Sequence, residues 1–290
     1  MLLVTGITGL TGRFLLDCLR EAGYNGRIRC LIRKHSDVSW VQDENVEFCI
    51  GDVSDVQSLK SGLVGVSGVI HLVNIRFSPQ VIQACSDMGI GRVVIVTTTG
   101  IFSKYRECSE EYRQLEKGII ESKLQYTIIR PTMIYGNERD KNIHKLVRIV
   151  DRYPLIPIIG NGQSLMQPIY ARDLAAVIAS AYLLPVSIGK AYNVAGKYPI
   201  KYIDVLKLIA ATLKKRRLFI HIPYFVSMLA GYIGELISND LVDIEKIKRL
   251  REDKVFDYSE AAKDLEFNPI SFEEGIKLEV EALKKAGLIK

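Results

Sequence analysis

The sequence predicts an α/β protein: a doubly wound parallel sheet covered by helices on both faces, followed by a smaller mixed α/β portion. Three observations carry that prediction. Through the first half, short β-rich apolar runs alternate with stretches of helical periodicity, the pattern of parallel strands joined by crossover helices. Runs such as Val93-Val94-Ile95-Val96 and Thr127-Ile128-Ile129 are apolar on both faces, as strands buried under helices on each side must be. A glycine-spaced turn, Gly6 to Gly12, lies between the first strand and the first helix. The composition agrees: 290 residues, 48% hydrophobic and 25% charged, is ordinary globular usage and excludes collagen-like, low-complexity and wholly disordered chains.

Taken in order, the expected strands are residues 2–5, 27–32, 46–50, 68–72, 92–97 and 126–130. Helices are expected at 11–21, where Phe14, Leu15, Cys18 and Leu19 recur at helical spacing, and at 78–87, with Val81, Ile82 and Cys85. After Arg130-Pro131 the rhythm changes. Pro154, Pro157, Pro168, Pro185 and Pro199 punctuate short segments, and Asp173 is placed to cap a helix over 174–184. The expected division is therefore 1–153, a nucleotide-binding part, and 154–290, a mainly substrate-binding portion interleaved with the first. Lys214 to Arg217 precede an apolar stretch about long enough to cross a bilayer. His221, Pro223 and Glu235 interrupt it, so a strand, a proline break and a buried helix are preferred to a membrane span. Residues 245–254 read as a solvated amphipathic face.

Charge and cysteine usage narrow the partners. Lys+Arg 39 against Asp+Glu 33 gives +6, too mild and dispersed for the dense basic stripe that nucleic acid needs. Cys18, Cys30, Cys49, Cys85 and Cys108 are odd in number and form no C-x-x-C pair, so they read as reduced buried thiols in a cytoplasmic protein. The start, Met1-Leu2-Leu3-Val4, has no basic flank or long apolar run and reads as a core strand with no signal peptide before it. His35, His71, His144 and His221 lie far apart and make no ligand set, so no metal is expected.

The nucleotide signal is Gly6-Ile7-Thr8-Gly9-Leu10-Thr11-Gly12. Glycine permits the tight turn and lets backbone N–H groups approach a pyrophosphate, while the helix start favours the anion. Gly6, Thr8, Gly9, Leu10, Thr11 and Gly12 are thus the expected phosphate-binding residues of a Rossmann-type sheet, although the spacing is G-x-x-G-x-x-G and not G-x-G-x-x-G. Further segments follow in a characteristic order: Gly51-Asp52-Val53-Ser54-Asp55, His71-Leu72-Val73-Asn74, Ile129 to Gly136, Gln167 to Asp173, Ala191 to Gly196, and Asp257 to Gly275 around Phe267-Asn268-Pro269. Together they resemble the short-chain dehydrogenase/reductase superfamily over nearly the whole chain, specifically its extended and atypical members that include nucleotide-sugar epimerases and dehydratases.

That resemblance implies roles. Asp52 accepts a hydrogen bond from the adenine amino group with Val53 beside the ring; a turn or cap role is the plain alternative for such an Asp. Where NAD-preferring members carry an acid at the end of the second strand, this chain has Arg33 and Lys34, which attract a 2′-phosphate. NADP(H) is therefore expected over NAD(H), unless Asp37 reaches the ribose. Thr98 takes the hydroxyl role that holds a substrate oxygen, with Thr99 the nearest substitute. Lys117, followed by Glu121 at the family's Lys-to-Glu spacing, matches the lysine that binds the ribose and lowers the tyrosine pKa. The tyrosine departs from the pattern. Tyr112 stands five residues before Lys117, not four, so on a regular helix the two diverge by about 140°. Either a local irregularity brings Tyr112 to the nicotinamide, or Tyr105 substitutes, or the site binds nucleotide without chemistry. By the same resemblance Tyr135, Arg172 and Asn193 face the substrate.

The expected activity is hydride transfer at a carbinol or ketone carbon of a nucleotide-sugar or similar small molecule. The alternative is a non-catalytic NAD(P)H-binding sensor or accessory protein on the same fold. Related folds often pair through two long helices, which makes a homodimer the expected assembly if there is one.

Overall fold

The computed structural model describes residues 1–228 and 244–290. Chain order in the first half is β1 (Leu2–Thr5), α1 (Gly12–Glu21), β2 (Ile28–Ile32), β3 (Val46–Ile50), α2 (Val56–Leu63), β4 (Gly68–His71), α3 (Ser78–Asp87), β5 (Arg92–Val96), α4 (Ser109–Glu121) and β6 (Gln125–Pro131). The strands fall within a residue or two of the expected ones. The second half holds β7 (Ile134–Tyr135), α5 (Ile143–Arg152), β8 (Leu155–Ile159), β9 (Leu165–Met166), β10 (Ile169–Tyr170), α6 (Ala171–Leu183), β11 (Lys190–Val194), β12 (Ile200–Lys201), α7 (Tyr202–Thr212) and β13 (Leu218–Ile222). It ends with α8 (Ile244–Arg249), α9 (Ser259–Leu265) and α10 (Phe272–Lys285).

Seven strands make one parallel sheet in the order β11-β6-β5-β4-β1-β2-β3. The chain runs outward from β1 to β3, then returns past β1 to β4 and runs the other way, the doubly wound topology. On one face α1 and α6 pack together over Leu2, Val4 and Val94; on the other α2, α3 and α4 cover Leu3, Val93 and Ile95. Burying both faces is what makes the central strands β1, β4 and β5 nearly continuous apolar runs, whereas the edge strand β3 carries Glu47 and an exposed Ile50. A further core gathers α5, α7, α10, β8 and β10 around Val147, Ile156, Ile209 and Ile276.

Local signals set the helix ends. Asp55 accepts from Gln57 N and Ser58 N to start α2, Pro79 sits in the first turn of α3, and Ser271 with Glu274 forms a capping box on α10. Asp173 does not cap: α6 begins two residues earlier, and the Asp173 carboxylate instead accepts from Ile270 N at 2.9 Å. Leu218–Ile222 is the strand expected after the basic run; residues 229–238 of that apolar stretch lie outside the described residues. Among the described residues no helix is long and apolar enough to cross a membrane. The five cysteines are unpaired; Cys18, Cys30 and Cys85 are buried, while Cys49 and Cys108 are half-buried.

Candidate active site at the switch point of the sheet

A cleft of about 900 Å³ opens at the carboxyl ends of the strands, where the order reverses between β1 and β4. Its inner wall is the Gly6–Gly12 turn. Gly6 sits at φ +84°, a conformation that side chains other than glycine's rarely take, and a Cβ there would press on Val73 at 3.0 Å. A Cβ on Gly12 would run into the Ile7 carbonyl and lie 2.6 Å from the Gly6 carbonyl oxygen. Gly9 N donates to Gly6 O and closes the turn. No side chain caps the first turn of α1; Arg13 N and Phe14 N donate to the Gly9 and Thr11 carbonyls, which leaves the Gly12 N–H at the helix start for a ligand anion. This cradle fits a dinucleotide pyrophosphate.

Arg33, Lys34, Asp52 and Val53 stand on the loops after β2 and β3, and none of the four lines the cleft itself. Asp52 Oδ1 accepts from Ser54 N and Ser54 Oγ at 2.8 and 2.7 Å; these bonds, with Arg33 nearby, hold its carboxyl below the usual range. One oxygen of Asp52 thus braces its own loop. Asp37 is engaged by Ser39 and lies 3.6 Å from Arg13, which stacks over Trp40.

The three threonines after β5 divide their work. Thr97 Oγ1 donates to Glu116 at 2.6 Å, and Thr99 Oγ1 donates to the Pro131 carbonyl at 3.1 Å. Thr98 Oγ1 only accepts, from Gly100 N, so its proton is unspent and faces the cleft. The hydrogen bonds thus distinguish Thr98, expected in the hydroxyl role, from Thr99, its nearest substitute.

Tyr112 and Lys117 are not brought to the cleft. The inward stripe of α4 is Ser109, Tyr112, Glu116 and Ile119. Tyr112 is 4% exposed in the core beneath the sheet, its ring between the guanidiniums of Arg76 and Arg106 at 5.4 and 4.9 Å. Lys117, about 100° beyond Glu116, points to solvent with a 65% exposed side chain and pairs with Glu121 at 3.8 Å. The helix stays regular, so the five-residue spacing turns the pair apart. Tyr105 is exposed on the preceding loop and does not line the cleft. Tyr135 is buried between Tyr170 and Phe272, and Arg172 ties α6 to Glu21 of α1. Asn193 keeps a buried Oδ1 without a partner and does not line the cleft.

What lines the outer cleft was missed. Arg106 lies against Gly100, where any Cβ would collide with its Nη1. Arg249 and Lys254 face the same space from the segment expected to be a solvated face. Arg249 Nε is buried without an acceptor, and burial, followed by the Arg249 charge, lowers the Lys254 pKa. Of the acids of that segment, Glu252 accepts from Ser103 Oγ and Lys104 N, both at 2.7 Å, while Glu245 accepts from Glu107 N and pairs with Arg249 Nη1 at 3.3 Å. They clasp the loop that carries Arg106. Glu116 was missed too; buried, it binds Thr97 and takes Arg130 in a bidentate pair. Its signal was its place four residues after Tyr112, on one helix stripe. Buried His71 is bonded on one side only: Nδ1 meets Thr5 Oγ1 at 2.7 Å, Nε2 has no partner, and burial lowers its pKa to about 4.

A family model described as NAD(P)H-binding matches residues 6–181, from the first cradle glycine into the last turn of α6. The chain belongs to this NAD(P)H-binding family. Among curated relatives it is similar to the NADH dehydrogenase 1 alpha subcomplex subunit 9 of Dictyostelium discoideum, 25% identical over 71% of this chain and 62% of that protein. It is also similar to the N-acetyl-α-D-glucosaminyl-diphospho-ditrans,octacis-undecaprenol 4-epimerase of Escherichia coli O157:H7, 22% identical over 65% of this chain and 67% of that one. The match thus spans about two thirds of either relative. Among solved structures, the NAD(P)H-binding fold is shared with dTDP-glucose 4,6-dehydratase of Bacillus anthracis in complex with NAD. That likeness has a TM-score of 0.77 at 15% identity and covers 98% of this chain and 96% of that one.

Proposed function

We propose that the chain is an NAD(P)-dependent oxidoreductase, epimerase or dehydratase acting on a negatively charged alcohol or ketone, a nucleotide-linked sugar being the class that fits best. One observation carries this reading: a single cleft joins a helix start with no side-chain cap, the unspent Thr98 hydroxyl and five cations, Arg106, Arg139, Lys141, Arg249 and Lys254, against one acid, Asp140. A nicotinamide cofactor, when bound, supplies hydride exchange with a carbinol carbon. The chain supplies the rest. The Gly6–Gly12 turn holds the pyrophosphate, Thr98 donates to the substrate oxygen, and Arg106 offsets charge on it. Arg249 and Lys254 hold the anionic part of the substrate. Arg33 and Lys34 support NADP(H) over NAD(H), since neither forms an ion pair among the described residues.

The test is turnover of NADPH or NADP+ with a panel of nucleotide sugars and simple ketones. Thr98→Val should remove turnover while NADPH still raises the melting temperature; full turnover in that variant would reject the assignment. Arg33→Glu should shift the NADPH to NADH affinity ratio by about tenfold or more toward NADH, a change of about 1.4 kcal/mol. An unchanged ratio would remove the NADP(H) preference.

A second reading, a non-catalytic NAD(P)H-binding sensor or accessory protein, is favoured by the burial of Tyr112 and the outward turn of Lys117. It predicts stabilisation by NADPH with no turnover of any panel member.

A further inference from the structure

The two-stranded sheet of β8 and β13 carries an apolar face on its outside. In parallel register, Leu155, Pro157 and Ile159 pair with Leu218, Ile220 and Ile222. The alternate residues Ile156, Ile158 and Phe219 fill the adjoining core, so the outward set is the second apolar face of one sheet. Leu155, Leu218 and Ile220 are 50%, 68% and 50% exposed, and Phe225 just beyond is 72% exposed. A sheet with one solvated face normally alternates apolar inward with polar outward. Here the outward positions have the composition of an interface.

The charge on the segments that lead into the face is one-sided. Lys145, Arg148 and Arg152 of α5, ahead of β8, and Lys214 and Arg216, ahead of β13, are all exposed. The only acid in residues 141–159 and 213–228 is Asp151, held by Lys215 at 2.5 Å. Arg152 lies over the exposed ring of Tyr153, an aromatic of the kind that settles at headgroup depth.

We propose that this face rests on an anionic phospholipid bilayer, with the aliphatic side chains among the acyl-chain ends and the lysines and arginines on lipid phosphates. Branched aliphatics preceded by cation-bearing segments match that surface in both layers. An acidic protein or a nucleic acid answers the charge and leaves the sheet face uncovered. A second copy covers the face and sets like charges against one another. The proposal is independent of the cofactor reading.

The test is cosedimentation of the full chain with vesicles of phosphatidylcholine alone and of phosphatidylcholine with one third phosphatidylglycerol. Binding to the anionic vesicles should exceed binding to the neutral ones by about tenfold or more and weaken with salt. Leu218→Glu with Ile220→Glu should abolish binding, and Arg148→Glu, Arg152→Glu and Arg216→Glu together should lower it by about tenfold or more. A far-ultraviolet circular dichroism spectrum and melting temperature unchanged from the wild type show that each variant is folded, and the charge-reversal variant carries the test if the aliphatic one is not. The proposal is overturned if the wild-type chain stays in the supernatant. Wild-type binding by the folded Leu218→Glu, Ile220→Glu protein overturns it as well. So does a dimer, seen by light scattering, that this variant dissolves while vesicles bind nothing.

Discussion

Gly12 opens α1 where the chain passes over the Gly6 and Ile7 carbonyls, and the space for a side chain is filled by backbone that cannot move without unwinding the turn. Gly12→Ala should therefore destabilise the protein by about 2 kcal/mol, as overpacking does, and should also remove the rise in melting temperature that NADPH produces. Denaturant titration with and without NADPH measures both. A variant that still gains the full stabilisation would show that the turn is not the phosphate cradle. Thr98 makes a different point at the same scale. Three neighbouring hydroxyls are chemically alike, and only their partners, Glu116, the Gly100 amide and the Pro131 carbonyl, decide which one is free to meet a substrate.

Among the elements, α4 decides most, because its stripe sets what reaches the sheet. Glu116 joins three pieces of the fold, taking Thr97 after β5 and Arg130 of β6 from within α4. The pair is largely buried, with side chains 17% and 4% exposed. Glu116→Gln should cost about 3 kcal/mol, since it leaves the Arg130 guanidinium without its carboxylate. Arg130→Met in the same background should recover part of the loss, and simple additivity in the double-mutant cycle would show that the two are not coupled. The same helix shows where sequence reading stops. The strands were legible because a strand buried on both faces is an unbroken apolar run, and the phosphate turn was legible because its glycines are local. In α4 charged residues fall on every side, so sequence spacing alone favoured Lys117 and Glu121 over Glu116. Residues 245–254 defeated the reading for a related reason. A row of charges looks solvated until Glu252 is seen to reach back to Ser103, a contact between residues far apart in the chain that turns Arg249 and Lys254 inward.

At the scale of the whole molecule, α10 closes the second core beneath the loop that borders the cofactor turn, and one carboxyl makes that closure depend on pH. Glu279 of α10 is fully buried, and burial, reinforced by the facing Asp140 carboxylate, pushes its pKa from 4.5 up to about 10. Asp140 in turn accepts from Asn142 N and His144 N, with the His144 ring at 3.3 Å, and neighbouring Arg139 reaches the Thr8 carbonyl of the phosphate turn. In the folded state Glu279 keeps its proton where the unfolded chain has released it. The native state therefore binds more protons than the unfolded one between about pH 4.5 and about pH 10, and stability must fall with rising pH across that window. This group's contribution is complete below the lower limit and is lost on passing the upper one. Glu279→Gln preserves the shape and cannot ionise. Its melting temperature should overtake that of the wild type as pH is raised from about 6 to about 9, with the gap widening throughout. Because Asp140 belongs to the loop beside Thr8, the fall in NADPH-induced stabilisation at alkaline pH should be smaller in the variant as well. Two melting curves that stay parallel over that range would mean that Glu279 ionises in the folded protein as it does in the unfolded chain, and that α10 is held without a buried proton.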